Sequence, residues 1–399
     1  MRETARGRRM VLFVPDLGDT STIKRSAGFL DQGYALTVFG FRRDRYSRDY
    51  RPPWPHIALG RTRDSRYWQR VGALLRAAPT LFAHRRRLRR AAIYYARNID
   101  QLLLALFARA ISRSRARLVY EVLDIQPAFV GRGLFSRVLR AVERFCLRRV
   151  QLLVLSSPGF LRHYYRPVQE YRKPWFLLEN KLADPLPRPG ERGFLVPVRP
   201  RDGRAFYRWT VGYYGLIRGQ RTLDLIARVA GLLEGEVLFK FRGIFTTVDR
   251  ARFAQIRARH RNIVYDGEYT VPRDLERIYA EIDFAWAIDL ENADENSRWL
   301  LPCRYYEAGF YGVPCLAARG FEVGALIDGL DVGWTFDAPL AESIERFLRG
   351  VAPADHAEKR RRLLALPASH FVAGDDIAAL CRLMDGEAPV AMRPGVATL

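Results

Sequence analysis

The sequence predicts an α/β protein built from two Rossmann-like, doubly wound domains in tandem. Three observations predict it: short apolar runs alternate with helical stretches, the alternation breaks at a segment rich in proline, glycine and arginine, and it then begins again. With 399 residues, 49% of them hydrophobic, the chain can bury a sizeable core in each half.

The first series opens with an apolar run at 10–15, a loop Asp16-Leu-Gly-Asp-Thr-Ser, a helical pattern through Ile23, Ala27 and Leu30, and a second run at 35–41. Together these read as the β-loop-α-β start of a parallel sheet. Strands are then expected at 92–95, 117–122 and 152–155, separated by helices at 100–111 and 135–148. Between Leu182 and Arg204 lie Asp-Pro-Leu-Pro-Arg-Pro-Gly-Glu-Arg-Gly and Val-Pro-Val-Arg-Pro-Arg-Asp-Gly, the best linker in the chain. The second series starts at Trp209-Thr-Val-Gly-Tyr-Tyr-Gly and continues with a helix from Thr222. Strands at 237–242, 262–265 and 284–287 follow, with helices through 258 and at 273–280. The expected organisation is an N-terminal domain at 1–182, a linker at 183–204, a C-terminal domain at 205–385 and a tail at 386–399. The last helix is a candidate to return to the first domain.

Charge separates the halves. The net charge is +23, and residues 1–180 hold 36 Lys and Arg against 13 Asp and Glu, whereas 181–399 hold 30 of each. The basic half is suited to polyanions: phospholipid headgroups, a polyprenyl pyrophosphate or nucleic acid. An arginine-rich coding bias is the plain alternative, but it would not leave the second half neutral. Cys146, Cys303, Cys315 and Cys381 show no C-x-x-C spacing, and the six histidines show no ligand spacing, so no metal is expected. No apolar stretch approaches the ~18 residues of a spanning helix and the N-terminus does not read as a signal peptide, so the expectation is a cytoplasmic protein. The stretch 66–90 combines Trp68, Leu75 and Phe82 with Arg86, Arg87 and further arginines. It reads either as a helix lying in an anionic membrane interface or as a helix with a solvated basic face.

The strongest chemical pattern is Asn296-Ser-Arg-Trp-Leu-Leu-Pro-Cys-Arg-Tyr-Tyr-Glu307-Ala-Gly-Phe-Tyr-Gly-Val-Pro314. Pro302 suits the first turn of a helix ended by Gly312, with Arg304 and Glu307 on one face. A helix N-terminus after a loop suits a diphosphate, and a carboxylate beside it can accept from two ribose hydroxyls. The plain alternative is an amphipathic helix with a surface Arg-Glu pair. A second signal, Gly212-Tyr-Tyr-Gly215-Leu-Ile-Arg218-Gly219-Gln-Arg221, is a strand-to-helix loop whose glycines allow close backbone approach and whose arginines can meet phosphate. Lys240 and Arg242 add charge at the same strand edge.

The set Ala96-Arg97-Asn98, Val119-Tyr-Glu121-Val-Leu-Asp124, Ser156-Ser-Pro-Gly-Phe160, Leu178-Glu-Asn-Lys181, Gly215-Leu-Ile-Arg218-Gly and Trp299-Leu-Leu-Pro-Cys-Arg-Tyr-Tyr-Glu307-Ala-Gly, in this order, resembles GT-B glycosyltransferases of bacterial exopolysaccharide assembly. The kinds in question are succinoglycan-type glucosyltransferases and, more distantly, the xanthan glucuronosyltransferase. The likeness covers most of the chain. It implies two domains facing each other across a cleft and a nucleotide-sugar donor, a UDP-sugar, held by the C-terminal domain. Arg218 and Arg242 would then lie near the diphosphate, Asp266-Gly267 near the base and Glu307 on the ribose, with Arg304 also among the donor-binding residues. The acceptor, a polyprenyl-pyrophosphate-linked or other glycan, would enter from the N-terminal domain, where Asp16, Arg97, Asn98 and Glu121 stand on the acceptor side. Many retaining relatives carry two glutamates eight apart, and the earlier position here is Trp299, which favours inversion. An inverting transfer needs a base for the acceptor hydroxyl. Asp124 is the candidate, with Asp16 and Glu121 as rivals, and an N-cap to the helix starting near Pro127 is its structural alternative.

The expected setting is peripheral, on the inner face of the cytoplasmic membrane, with no cofactor besides the donor substrate. Two other readings remain: an inactive sugar-nucleotide-binding scaffold, and a nucleic-acid-binding protein using the basic half, against which no compact RNA-binding motif is found. Neither first loop carries G-x-G-x-x-G, which argues against an NAD-linked oxidoreductase.

Overall fold

A computed structural model describes residues 8–43, 50–62, 67–183, 207–292 and 295–386, of which 67–71 are described in the backbone alone. The expected linker at 183–204 and tail at 386–399 therefore lie almost wholly outside the described residues, as does the side chain of Trp68. The chain forms two compact units, one built from residues up to Glu179 together with those from Asp375 onward, the other from Asn180–Gly374.

The first unit runs β1 (Arg9–Val14), α1 (Thr20–Asp31), β2 (Ala35–Arg42), β3 (His56–Arg61), α2 (Tyr67–Ala83), α3 (Arg85–Arg89), β4 (Ile93–Arg97), α4 (Ile99–Ser112), β5 (Arg117–Val122), α5 (Pro127–Val130), α6 (Leu134–Leu147), β6 (Leu152–Leu155), α7 (Pro158–Phe160) and β7 (Trp175–Leu177). Its seven strands pair in parallel in the order β3-β2-β1-β4-β5-β6-β7. The central strands are buried on both faces, which is why they read as continuous apolar runs. On one side α1 covers Leu12, Val38 and Tyr95, while α2, α3, α4 and α6 pack side by side elsewhere in the unit.

The second unit contains β8 (Leu182–Ala183), β9 (Trp209–Ile217), α8 (Gln220–Leu232), β10 (Val237–Phe245), α9 (Arg250–Arg259), β11 (Ile263–Tyr265), α10 (Leu275–Ala280), β12 (Phe284–Trp286), α11 (Asn296–Trp299), α12 (Cys303–Phe310), β13 (Cys315–Ala318), α13 (Glu322–Leu330), β14 (Gly333–Phe336), α14 (Leu340–Gly350), α15 (Pro353–Ala365) and β15 (Val372–Ala373). Six strands pair in parallel as β11-β10-β9-β12-β13-β14, and β8 and β15 form a separate short pair. Two cores flank the six-stranded sheet, one centred on Phe239, Phe241 and Trp286, the other on Tyr214, Tyr279 and Tyr305.

The last helix, α16 (Asp376–Asp385), belongs to the first unit. Leu380, Cys381 and Met384 complete that core, Tyr34 Oη donates to Asp385 Oδ1 at 3.0 Å, and Arg117 Nη1 donates to the Met384 carbonyl at 2.6 Å. No described helix is long and apolar enough to cross a membrane.

Candidate active site

Each sheet changes winding direction beside its first strand, between β1 and β4 in one unit and between β9 and β12 in the other. Open α/β sheets take their ligands at such a point, outside the carboxyl ends of the strands.

In the second unit three loops meet there. Arg218, just past β9, donates from Nε to Asp289 Oδ2 at 2.8 Å, with Nη2 at 2.6 Å, and lies 3.5 Å from Glu291 Oε2. The Asp289 loop is fixed by Leu290 N donating to Thr222 Oγ1 (2.8 Å) and Glu291 N to Asp289 Oδ1 (3.0 Å). Gly219 N donates to Thr247 Oγ1 at 3.1 Å, which ties in the loop after β10. Gly219 has φ +78°, and a Cβ there would meet Glu291 Cβ at 3.0 Å, so glycine is required at this crossing.

The helix predicted around Glu307 is α12, with Pro302 at its N-cap rather than in its first turn. Arg304 and Glu307 do not form a surface pair: both are turned inward. Arg304 donates to the Trp286 carbonyl at 3.0 Å, at the end of β12, and its guanidinium lies 4.1 Å over the Tyr213 ring. Glu307 is 9% exposed and accepts from Tyr279 Oη at 2.9 Å. Burial pushes the Tyr279 hydroxyl well above its ordinary range, with the Glu307 charge adding to it, so the phenol remains a donor. Burial works against the Arg304 charge, but Tyr213 and Asp289 outweigh it and hold the guanidinium above its ordinary value, with Arg218 opposing them.

Arg242 and Asp266, expected near the diphosphate and the base, pair with each other and with Glu281. Arg242 is buried on β10 and donates to the Asp266 carbonyl (3.0 Å), Asp266 Oδ2 (3.3 Å) and Glu281 Oε2 (3.0 Å), while Lys240 Nζ lies 2.7 Å from the same Glu281. Two cations and two carboxylates neutralise one another and tie β10 to the end of α10. Asp289, Glu291, Thr247 and Tyr279 were not anticipated; that Asp289 follows the strand 284–287 was the one available signal.

In the first unit Arg97 and Glu121, expected on the acceptor side, are 0% and 1% exposed. Glu121 accepts from Arg25 (2.7 Å) and Arg97 (2.8 Å), and Arg97 also donates to Thr22 Oγ1 (2.9 Å) and Ser21 Oγ (3.0 Å). Burial raises the Glu121 carboxyl, but the two guanidinium groups outweigh it and hold it below 4.5. Side chains so enclosed tie the first two turns of α1 to β4 and β5 and present no face to an acceptor. Asp16 is also buried and accepts from Gly18 N at 3.0 Å, and burial raises its carboxyl.

Asp124 is exposed, two residues before Gln126, which occupies the N-cap of α5, so the capping alternative does not describe it. Asn98 holds φ +71° at the end of β4, a strained backbone at the switch point. The structure brings Asn98 and Asp124 to one small cavity of about 20 Å³, room for a single water, beside Tyr120 and Glu143. Glu143 is fully enclosed and accepts from Tyr120 (3.1 Å), Tyr164 (2.6 Å), Tyr165 (3.0 Å) and Gln169 (2.7 Å). These neutral donors oppose burial without overcoming it, and its carboxyl is raised. Of the expected membrane-facing residues, Leu75 is 71% and Phe82 54% exposed, and Arg86 and Arg87 are exposed on α3. Among the described residues no group of three or more His, Cys, Asp or Glu side chains stands together as a metal site.

Two parallel sheets with crevice loops after their first and fourth strands define the class: this is the GT-B glycosyltransferase fold. Anabaena HepE, solved with UDP and glucose, superposes with a TM-score of 0.68 at 14% identity, covering 94% of this chain and 99% of that one. WaaG, a glycosyltransferase involved in lipopolysaccharide biosynthesis, superposes at 0.64 with 12% identity, covering 95% and 99%. No family model matches the sequence. The succinoglycan biosynthesis protein ExoL of Rhizobium meliloti (strain 1021) is 31% identical over 358 residues, 89% of this chain and 87% of the relative, and the chain belongs to its family.

Proposed function

We propose that the chain is a glycosyltransferase of exopolysaccharide or glycolipid assembly, moving a sugar from a UDP-sugar onto a saccharide or lipid-linked acceptor at the inner face of the cytoplasmic membrane. The observation that carries this is the convergence of Arg218, Arg304 and the braced Asp289 loop at the switch point of the second unit, in a chain of the ExoL family. The fold is also that of HepE, which was solved with UDP-glucose.

In this reading the diphosphate lies against the Arg218 loop, and Glu307, steadied by Tyr279, takes the ribose hydroxyls. The acceptor oxygen bonds the anomeric carbon while the bond from that carbon to the diphosphate breaks. Asp124 takes the hydroxyl proton, and cations with preset backbone dipoles meet the charge of the departing UDP. Trp299 supplies no carboxylate where many retaining relatives have one, which supports inversion.

Thermal unfolding with UDP, GDP, ADP and a short RNA tests the donor site. A ligand at about 100 times its Kd adds about 2.7 kcal/mol, worth a few degrees in the midpoint for a unit of this size. UDP is expected to stabilise selectively, and Asp124→Asn to keep that response while losing transfer. Stabilisation by RNA alone would overturn the reading, and UDP binding with no transfer to any acceptor would leave a sugar-nucleotide-binding scaffold.

A further inference from the structure

The first unit carries an apolar surface that its own core does not use. On α6, Ser136, Glu143, Cys146 and Leu147 are buried. Leu134, Phe135, Val138, Val142 and Phe145 recur at helical spacing on another face and are 37% to 74% exposed. Arg137, Arg140, Arg144 and Arg148 run alongside this stripe at intervals of three and four. The helix's one carboxylate is Glu143, so nothing acidic on α6 faces outward.

Neighbouring helices extend the surface. Leu75 and Phe82 on α2 and Phe107 on α4 are exposed, so every exposed large hydrophobic side chain found among the described residues of this unit lies on α2, α4 or α6. Residues 67–149 contain 18 arginines, no lysine and four acidic residues, two of which, Glu121 and Glu143, are buried. A groove of about 640 Å³ lies along α4 and α6, with Arg109, Arg113 and Arg149 around Leu106 and Phe145, and Arg149 lies 3.7 Å over the Phe145 ring.

Scattered apolar residues on a surface need no explanation, but a contiguous stripe marks an interaction face. Charge selects the partner. Arginine forks beside an apolar stripe, with few exposed carboxylates, match lipid phosphates at the boundary between headgroups and acyl chains. We infer that the outer faces of α6, α4 and α2 dock on an anionic bilayer, the stripe entering the acyl boundary and the groove taking the phosphate of a lipid headgroup. This deepens the reading of a membrane-held acceptor by naming the surface, and it rests on that reading only for its purpose.

The test is flotation of the full chain with vesicles of phosphatidylglycerol and phosphatidylcholine, or of phosphatidylcholine alone, at low and high salt. Two surface variants accompany it: Val138→Ser with Val142→Ser, and Arg109→Gln with Arg149→Gln. The wild type should float with anionic vesicles and less well at high salt. Each double variant should weaken partitioning by about tenfold or more, while the response of the melting midpoint to UDP stays unchanged and reports an intact fold. Flotation with neither vesicle, or variants that float like the wild type, would overturn the inference. So would a stripe variant that turns a dimer into a monomer with flotation unaltered, since a second copy would then be the occupant. Loss of the UDP response with flotation retained would instead sink the enzyme reading and leave the docking surface standing.

Discussion

Glu121 and Glu143 are buried in the same unit, yet their surroundings act in opposite directions. Glu121 has two guanidinium partners, so its folded pKa lies below the ordinary 4.5; it contributes stability above pH 4.5 that is lost as pH falls through the lowered value. Glu143 has only tyrosine and glutamine donors, so its folded pKa lies above 4.5. The proton it keeps on folding contributes stability that is complete below pH 4.5 and is lost as pH rises through the folded value. Glu143→Gln preserves the volume and removes the titration. Its melting midpoint should therefore lack the part of the wild type's decline on raising the pH from 4.5 that Glu143 supplies, and an identical pH slope in both proteins would sink the assignment. Arg97→Met leaves Glu121 with Arg25 alone in a dry site. The expected cost is about 3 kcal/mol by denaturant unfolding, with the UDP response unchanged because Arg97 braces its own unit and touches no ligand. A normal unfolding curve combined with lost transfer would return Arg97 to the acceptor side.

Among the elements, the turn from β9 into α8 depends most on one residue. Gly219→Ala would place a Cβ against Glu291 at φ +78°, so it should cost about 1 kcal/mol or more and push the 289–291 loop aside. The prediction is a weaker UDP response together with a slightly lower midpoint; an unchanged response would separate this loop from the donor site. The elements themselves were largely legible. Strands 10–15, 117–122 and 152–155 could be read because parallel strands buried on both faces give unbroken apolar runs. The α12 signature was legible because proline and glycine mark its ends. Burial on both faces is also why the fate of Arg97, Glu121 and Arg242 was not legible: with no alternation, the sequence does not say which strand residues are enclosed or which distant carboxylate meets them. The α6 period announced a helix, but an apolar stripe looks the same whether it faces a core or open solvent. Short strands such as β7, β8 and β15 gave no periodic signal at all.

At the scale of the whole molecule, the chain leaves the first unit near Glu179 and returns at Asp375. Removing residues 375–399 strips Leu380, Cys381 and Met384 from the first core and the Asp385 partner from Tyr34. Burying each large apolar side chain is worth about 1.5–3 kcal/mol, so the truncated chain should lose several kcal/mol in the first unit alone. Limited proteolysis should then cut before Glu179 while the second unit survives; equal resistance in both would show that α16 contributes little. The same route sets an order of events at the ribosome. Domains generally finish folding in the order of synthesis, N-terminal first. Here the opening 179 residues emerge without their last helix and must wait, partly open, until some 200 further residues have been translated. The second unit, continuous in sequence, can close first, so the half of the protein made earliest is the half completed last.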